Sequence, residues 1–372
     1  MEKLSEMLVV PNSVARSDFH EIIRMIDRSR LERILHHGTK APSGDNTQPW
    51  RFAVKGDTVY VYALPELDNP ILNIEARGTM IAIGALVENI SIAAQEDGLD
   101  TAIDLSHGED DAVARVHFDE RDRSGHPLFH TIEKRHTNRN PYHQIIQPSF
   151  FEHLRDIHEG DARALLVTDR HAIETIAHSS VLMEEAALRT KKLHRSFFDS
   201  IFWDENKNEN GEAGMYIKTM ELPPPVQLLF RALNFWPVTA TLNRIGFARG
   251  AALGNSALYA RTGACIAVIL TGTTQEDFIN AGRCMERAWL TTTAEGLAAQ
   301  PLAGLLYLAE YVRRTNDPDI ASQLRKRILA AQESIEQAVG SKGVVMILRI
   351  GLPHRPASAR TKRRAPHITY EQ

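Results

Sequence analysis

In "RHTNR", Arg135 and Arg139 stand four residues apart around Thr137. Forked cations with a hydroxyl between them are the side chains that a phosphate takes. Far upstream, "APSGDNTQPW" at 41–50 offers the donors and acceptors of Ser43, Asn46 and Gln48, while Gly44 allows a ligand close to the backbone. A third stretch, "AAQPLAG" at 298–304, carries Pro301 and Gly304, which force an irregular backbone and free N–H groups for a ligand. The fourth is the basic end, Lys362, Arg363 and Arg364. Taken singly, the first two read more readily as a solvated basic loop and a plain turn, and the others also fit a helix connector and a basic terminus.

Other chemistries fit poorly. Ser43 with His36 or His37 and Asp45 lacks the Gly-x-Ser-x-Gly elbow, and residues so close in sequence rarely form a triad. The sixteen histidines are scattered and the two cysteines, Cys265 and Cys284, lack ligand spacing, so no metal is expected. A glycine-rich dinucleotide fingerprint and a phosphate loop are absent. A net charge of -4 suggests neither a nucleic-acid nor a membrane partner. Two cysteines, a start without a secretory pattern, and apolar stretches at 78–94 and 263–272 that are short or interrupted by Glu88 and Asn89 give a cytoplasmic expectation.

Those residues need elements to position them. Hydrophobic residues make up 43% of the 372, enough for a sizeable core. Ile22, Ile23, Ile26, Leu31, Ile34 and Leu35 give an apolar helical face over 17–38, ending at Gly38. Strands "RFAV" and "TVYVYAL" flank a Lys55-Gly56-Asp57 turn, a second helix covers 77–97 to Gly98, and strands follow at 101–106 and 113–118. A second cycle has a helix near 149–157, a strand at 162–167, a long helix from 171 to about 197, a strand at 263–272, a helix from 276 to 296 and a strand at 343–351. Between them, 204–225 breaks pattern with "DENKNENGEAG" and three prolines, as a mobile, solvent-facing insertion would. The last residues lack periodicity. The chain also echoes itself: "ALVENISIAAQEDGL" at 85–99 aligns without gaps on "RCMERAWLTTTAEGL" at 283–297.

In combination, "APSGDNTQPWRF", "RHTNR", "GRCMERAWLTTTAEGLAAQPLAG" and the closing "RIGLPHRPASARTKRRAP" resemble the flavin-dependent nitroreductase family. Each motif occurs once, in an order similar to the double-length Acg-type branch. The resemblance implies an α+β nitroreductase-like fold, with two related halves in one chain forming a pseudodimer around one flavin site. The halves would be 1–130 and 131–372, the second carrying an insertion at about 198–255. It implies FMN as cofactor, with Pro42, Ser43 and Asn46 at the ring or ribityl chain. Arg135, His136, Thr137 and Arg139 would be at the phosphate, with Arg363 and Arg364 assisting, and Pro301, Leu302, Ala303 and Gly304 would lie against the flavin. Gln48 and Trp50 would serve turn support and packing. The implied reaction is hydride transfer through N5 between a nicotinamide (NADPH or NADH) or organic donor and a small organic acceptor, with no catalytic side chain assigned. The alternative is an FMN-storing protein with little turnover. The expected state is a monomer mimicking a dimer, or a weak homo-oligomer.

Overall fold

Gly56, with a φ of +61°, and Asp57 form a two-residue turn within the expected 55–57, and Lys55 already pairs with Thr58. The computed structural model describes residues 26–105 and 111–371. The expected helical face at Ile22 and Ile23 and the strand end at 106 lie outside them. Along the chain run α1 (Arg28–Gly38), β1 (Trp50–Lys55), β2 (Thr58–Ala63), the long α2 (Arg77–Glu96), β3 (Leu99–Asp104), β4 (Ala114–Glu120) and the short α3 (Phe129–Ile132). Then come β5 (His158–Glu159), β6 (Ala162–Val167), α4 (Arg170–Ser180), α5 (Leu182–Arg189) and α6 (Lys191–Asp199). Next are β7 (Ile201–Phe202), α7 (Glu205–Glu209), β8 (Met215–Tyr216), α8 (Pro224–Leu233), α9 (Trp236–Asn243) and α10 (Phe247–Ala260). The chain closes with β9 (Ala264–Ile269), α11 (Gln275–Ala294), β10 (Ala298–Pro301), α12 (Gly304–Arg314), α13 (Ser322–Val339), β11 (Val344–Gly351) and β12 (Ile368–Glu371).

The protein mixes helix and sheet. One five-stranded sheet has the order β12-β1-β2-β4-β3 and the other β10-β11-β9-β6-β5. Between them α2 and α11 pack at the centre of the larger core. Their contact is backbone-close: a Cβ on Gly84 would meet the Ile279 carbonyl oxygen at 1.9 Å, and one on Gly282 the Ile81 carbonyl oxygen at 2.0 Å. The contact is reciprocal. Gly84 and Gly282 stand immediately before the two echoing stretches, and Ile81 and Ile279 three residues further back in each. Each stretch has a glycine with positive φ just before its final leucine, Gly98 at 78° and Gly296 at 74°. The stretch Ile74–Glu96 is long and apolar enough to cross a membrane, but 83% of its most apolar 18-residue window is buried, as in a core helix.

Four expectations are corrected. The helix near 149–157 is a 3-10 run, Pro148–Leu154, and Asp156 at φ 61° stops any continuation. The long helix from 171 breaks into α4, α5 and α6; Thr190 is extended (φ -114°, ψ 117°), as suits a β-branched residue. The segment 204–225 is not simply solvent-facing, because Asn208, Tyr216, Ile217 and Thr219 are buried. The end of the chain is not pattern-free either: Ile368–Glu371 pairs in parallel with β1. Gly38 does stand at the end of α1, and it also lets the helix pack closely, since an added Cβ would meet Ile90 at 2.6 Å.

Candidate functional site

The turn at 41–50 holds unusual backbone. Asp45, Asn46 and Gln48 all have positive φ, at 46°, 59° and 53°. Such conformations are costly for non-glycine residues and persist where the surroundings fix them. Here Ser43 Oγ accepts the Gln48 N–H at 2.9 Å. The fully buried Gln48 side chain donates to the Gly211 carbonyl at 3.0 Å and accepts the Arg364 N–H at 2.9 Å. Arg364 also donates to the Gln48 and Thr47 carbonyls at 2.8 and 3.2 Å. Asn46 Nδ2 donates to the carbonyls of Glu212 and Lys362 at 3.3 and 3.2 Å, which leaves its buried Oδ1 without a partner. The turn, the 204–225 segment and the basic end are therefore one unit.

Segment 135–139 runs beside β10: Thr137 bridges Ala299, and the Asn138 N–H donates to the Ala299 carbonyl at 3.0 Å. This pairing carries the arginines to the Pro301–Gly304 corner. Arg135 is buried, its guanidinium 4.6 Å from the Trp289 ring centre, and it donates to the Lys40 carbonyl. Its Nε lies 2.9 Å from Glu286 Oε1 without hydrogen-bond alignment, so neither oxygen of the fully buried Glu286 has a donor. Burial pushes the Glu286 carboxyl up to about 7, against the pull of Arg135. Burial, then the adjacent Arg135, draws Arg363 down to about 9, so it stays cationic at neutral pH. Arg139 is also lowered by burial; it donates to the Thr219 carbonyl at 2.9 Å and reaches Met215 Sδ at 3.9 Å. Among the described residues no carboxylate forms an ion pair with it. Burial lowers His136, whose Nδ1 sits 2.7 Å from the Lys134 carbonyl, and this favours the neutral ring.

At the corner, β10 ends at Pro301, the Leu302 N–H is taken by the Ile347 carbonyl at 2.8 Å, and α12 begins at Gly304 with no side-chain cap. Its first-turn N–H groups keep their hydrogen-bonding capacity. All of these segments face one cavity of about 840 Å³. Of the residues expected at a site, Pro42, Ser43, Asn46, Arg135, His136, Thr137, Arg139, Pro301, Ala303, Gly304 and Arg363 line it. Leu302 and Arg364 do not: Leu302 is buried in the second core, and Arg364 is spent on the turn carbonyls. Sequence reading missed Lys40, Asp45, Met285, Trp289, Tyr307, Lys218 and Thr219 as lining residues. Trp289 alone had a signal, as a large aromatic in the echoing helix. The cavity is lined by arginines and by the apolar Trp289, Met285, Ile81 and Ala82, a mixture that suits a ligand with an anionic group and an apolar, planar body.

No family model matches the chain. The uncharacterized protein MT1398 of Mycobacterium tuberculosis (strain CDC 1551 / Oshkosh) is 24% identical over 352 residues, covering 91% of this chain and 48% of its own length. The chain thus spans about half of that relative. Among solved structures, the FMN-dependent nitroreductase NfnB from Mycobacterium smegmatis in complex with NADPH is similar at 12% identity and a TM-score of 0.36, over 64% of this chain and 93% of that one. A nitroreductase with bound FMN from Bacteroides fragilis NCTC 9343 has 11% identity, a TM-score of 0.33, and coverage of 64% and 94%. At such distances the functional reading rests on the cavity's own residues.

Proposed function

We propose that this chain is an FMN-dependent oxidoreductase of nitroreductase type, built as a pseudodimer with one flavin site. The observation that carries this is convergence: three segments that resemble the family's motifs, at 42–46, 135–139 and 301–304, line one cavity. The residues fit the cofactor. Arg139 without a direct ion pair, Arg363, the uncapped start of α12 and the orphaned Asn46 Oδ1 are groups that an anionic, hydrogen-bonding ligand would satisfy. FMN, when bound, supplies hydride acceptance and donation at N5.

The chain's own part is to bind, orient and exclude water. Arg135, Thr137 and Arg139 would take the phosphate, with Arg363 from the basic end. Ser43 and Asn46 would address the ring or ribityl chain, and the Ala303 N–H would face N5. Gln48 and Arg364 position the turn rather than touch the cofactor. Segment 204–225, through Met215, Tyr216, Lys218 and Thr219, forms one wall, so it serves as a cover held by the basic end. The halves are assigned to 1–130 and 131–372, supported by the two five-stranded sheets and the reciprocal Gly84–Ile279 and Gly282–Ile81 contacts, as an isologous interface would have. β12 crosses back to the first sheet. Donor and acceptor would be a reduced nicotinamide or organic donor and a small organic acceptor.

The test is the visible absorption spectrum of the purified protein, followed by anaerobic NADPH. A flavin band that bleaches is the expected result. Absence of a flavin band after soaking with FMN would overturn the proposal.

A further inference from the structure

Among the described residues nine large apolar side chains are exposed, and seven of them lie between Val226 and Leu253. Such clustering marks an interaction surface rather than scattered surface residues. α8 is apolar apart from Gln227 and Arg231, and its apolar residues are not confined to the inward side. Phe230 and Leu233 turn inward, Phe230 with its ring 5.0 Å from that of Phe198, yet Leu228 is 72% exposed. Val226, Leu228 and Leu229 are thus apolar side chains of this helix that nothing within the described residues covers. α9 packs on α8 and α10, and the three rest on α4, α5 and α6. Phe235 (67%) and Ile245 (82%) project from the connections between them.

Charge says what covers this face. No acidic residue occurs between Glu221 and Glu276, whereas Arg231, Arg244, Arg249 and Arg261 are all exposed there. Acids on the supporting helices are already engaged: Asp199 by Arg195, Glu174 by Arg170, and Glu184 by the Tyr259 hydroxyl and Asn255. The chain's net charge of -4 hides this local excess. A second copy seated on the same face would set arginines against arginines, which is costly. We propose that α8–α10 form a docking surface for an anionic lipid bilayer, with the helices lying in its interfacial plane. Exposed Leu, Phe and Ile side chains would enter the headgroup boundary, and the arginines would meet lipid phosphates. This departs from the sequence expectation of no membrane partner.

The experiment is flotation of the full chain with vesicles of phosphatidylcholine containing a minor share of phosphatidylglycerol, and with phosphatidylcholine alone. Binding to the anionic vesicles only, weakened by salt, is expected. Arg244→Gln should weaken partitioning about fivefold and Ile245→Ser roughly tenfold; both sites are exposed, so the fold should be kept, which circular dichroism checks. Flotation with neither vesicle, equal flotation with both, or flotation unchanged in both variants would overturn the proposal. So would a concentration-dependent dimer, seen by sedimentation, that Ile245→Ser dissociates while no vesicle is bound; that face would then belong to a second copy.

Discussion

Glu88 of α2 and Glu286 of α11 hold the same position in the two echoing stretches, yet their surroundings are opposite. Glu88 accepts from Arg283 Nε at 3.2 Å and from Arg287 Nε and Nη2 at 2.7 and 3.0 Å. Glu159 closes the set by accepting from both arginines, at 2.9 Å from Arg287. Two carboxylates thus balance two arginines, and nothing is left over for a ligand. Around Glu286 the balance fails: Arg135 and Arg363 share one buried carboxylate with no aligned donor, and Arg135 borders the 840 Å³ cavity. One helix position can therefore close a site with its own side chains or leave an excess of positive charge that an anion would complete. On the proposed reading, this difference would leave one flavin site in the pseudodimer.

The comparison can be broken at its axis first. Gly84→Ala and Gly282→Ala each push a methyl into a backbone carbonyl, at 1.9 and 2.0 Å, so each should cost about 3 kcal/mol. Thermal unfolding should show similar losses; a large inequality would argue against the two-fold relation. Next is Arg135→Ala, which strands the buried Glu286 and should cost about 3 kcal/mol together with most bound flavin. His136→Ala should keep its flavin, and equal retention in the two variants would sink the phosphate assignment.

A finer test uses pH. Below about pH 7 the Glu286 carboxyl is protonated and Arg135 is available to an anion; above it, the carboxylate competes. Because its folded pKa is raised, the carboxyl also weakens the fold as pH rises from the ordinary glutamate range to about 7, where the unfolded chain has already lost its proton. Titrating FMN into wild type and Glu286→Gln should therefore show wild-type affinity falling relative to the variant by about tenfold as pH rises through about 7. A constant ratio would detach Glu286 from the site. The smallest effect is expected on the closed side, where Glu88→Gln should cost about 1 kcal/mol and leave flavin content unchanged.

Much of this frame was legible locally. The hairpin follows from Gly56 and the helix ends from Gly98 and Gly296; the echo between α2 and α11 was visible, whereas their contact through Gly84 and Gly282 was not. The site segments announced themselves by residue type. What stayed hidden was set by contacts between distant segments. Gln48 appears as mere turn support until the Arg364 N–H and the Gly211 carbonyl are placed on its amide. The carboxylate behind Arg135 sits in a helix that reads only as amphipathic. The break at Thr190 and the pairing of Ile368–Glu371 with β1 are tertiary outcomes with weak local signals.

The most direct measurement is the number of FMN molecules bound per chain, from equilibrium dialysis of the full chain with its molecular mass fixed by sedimentation. One FMN per chain, in a monomer, is the expected result. Two per chain would mean that the Glu88 side also opens, and none would remove the asymmetry between the two glutamates as an explanation of function.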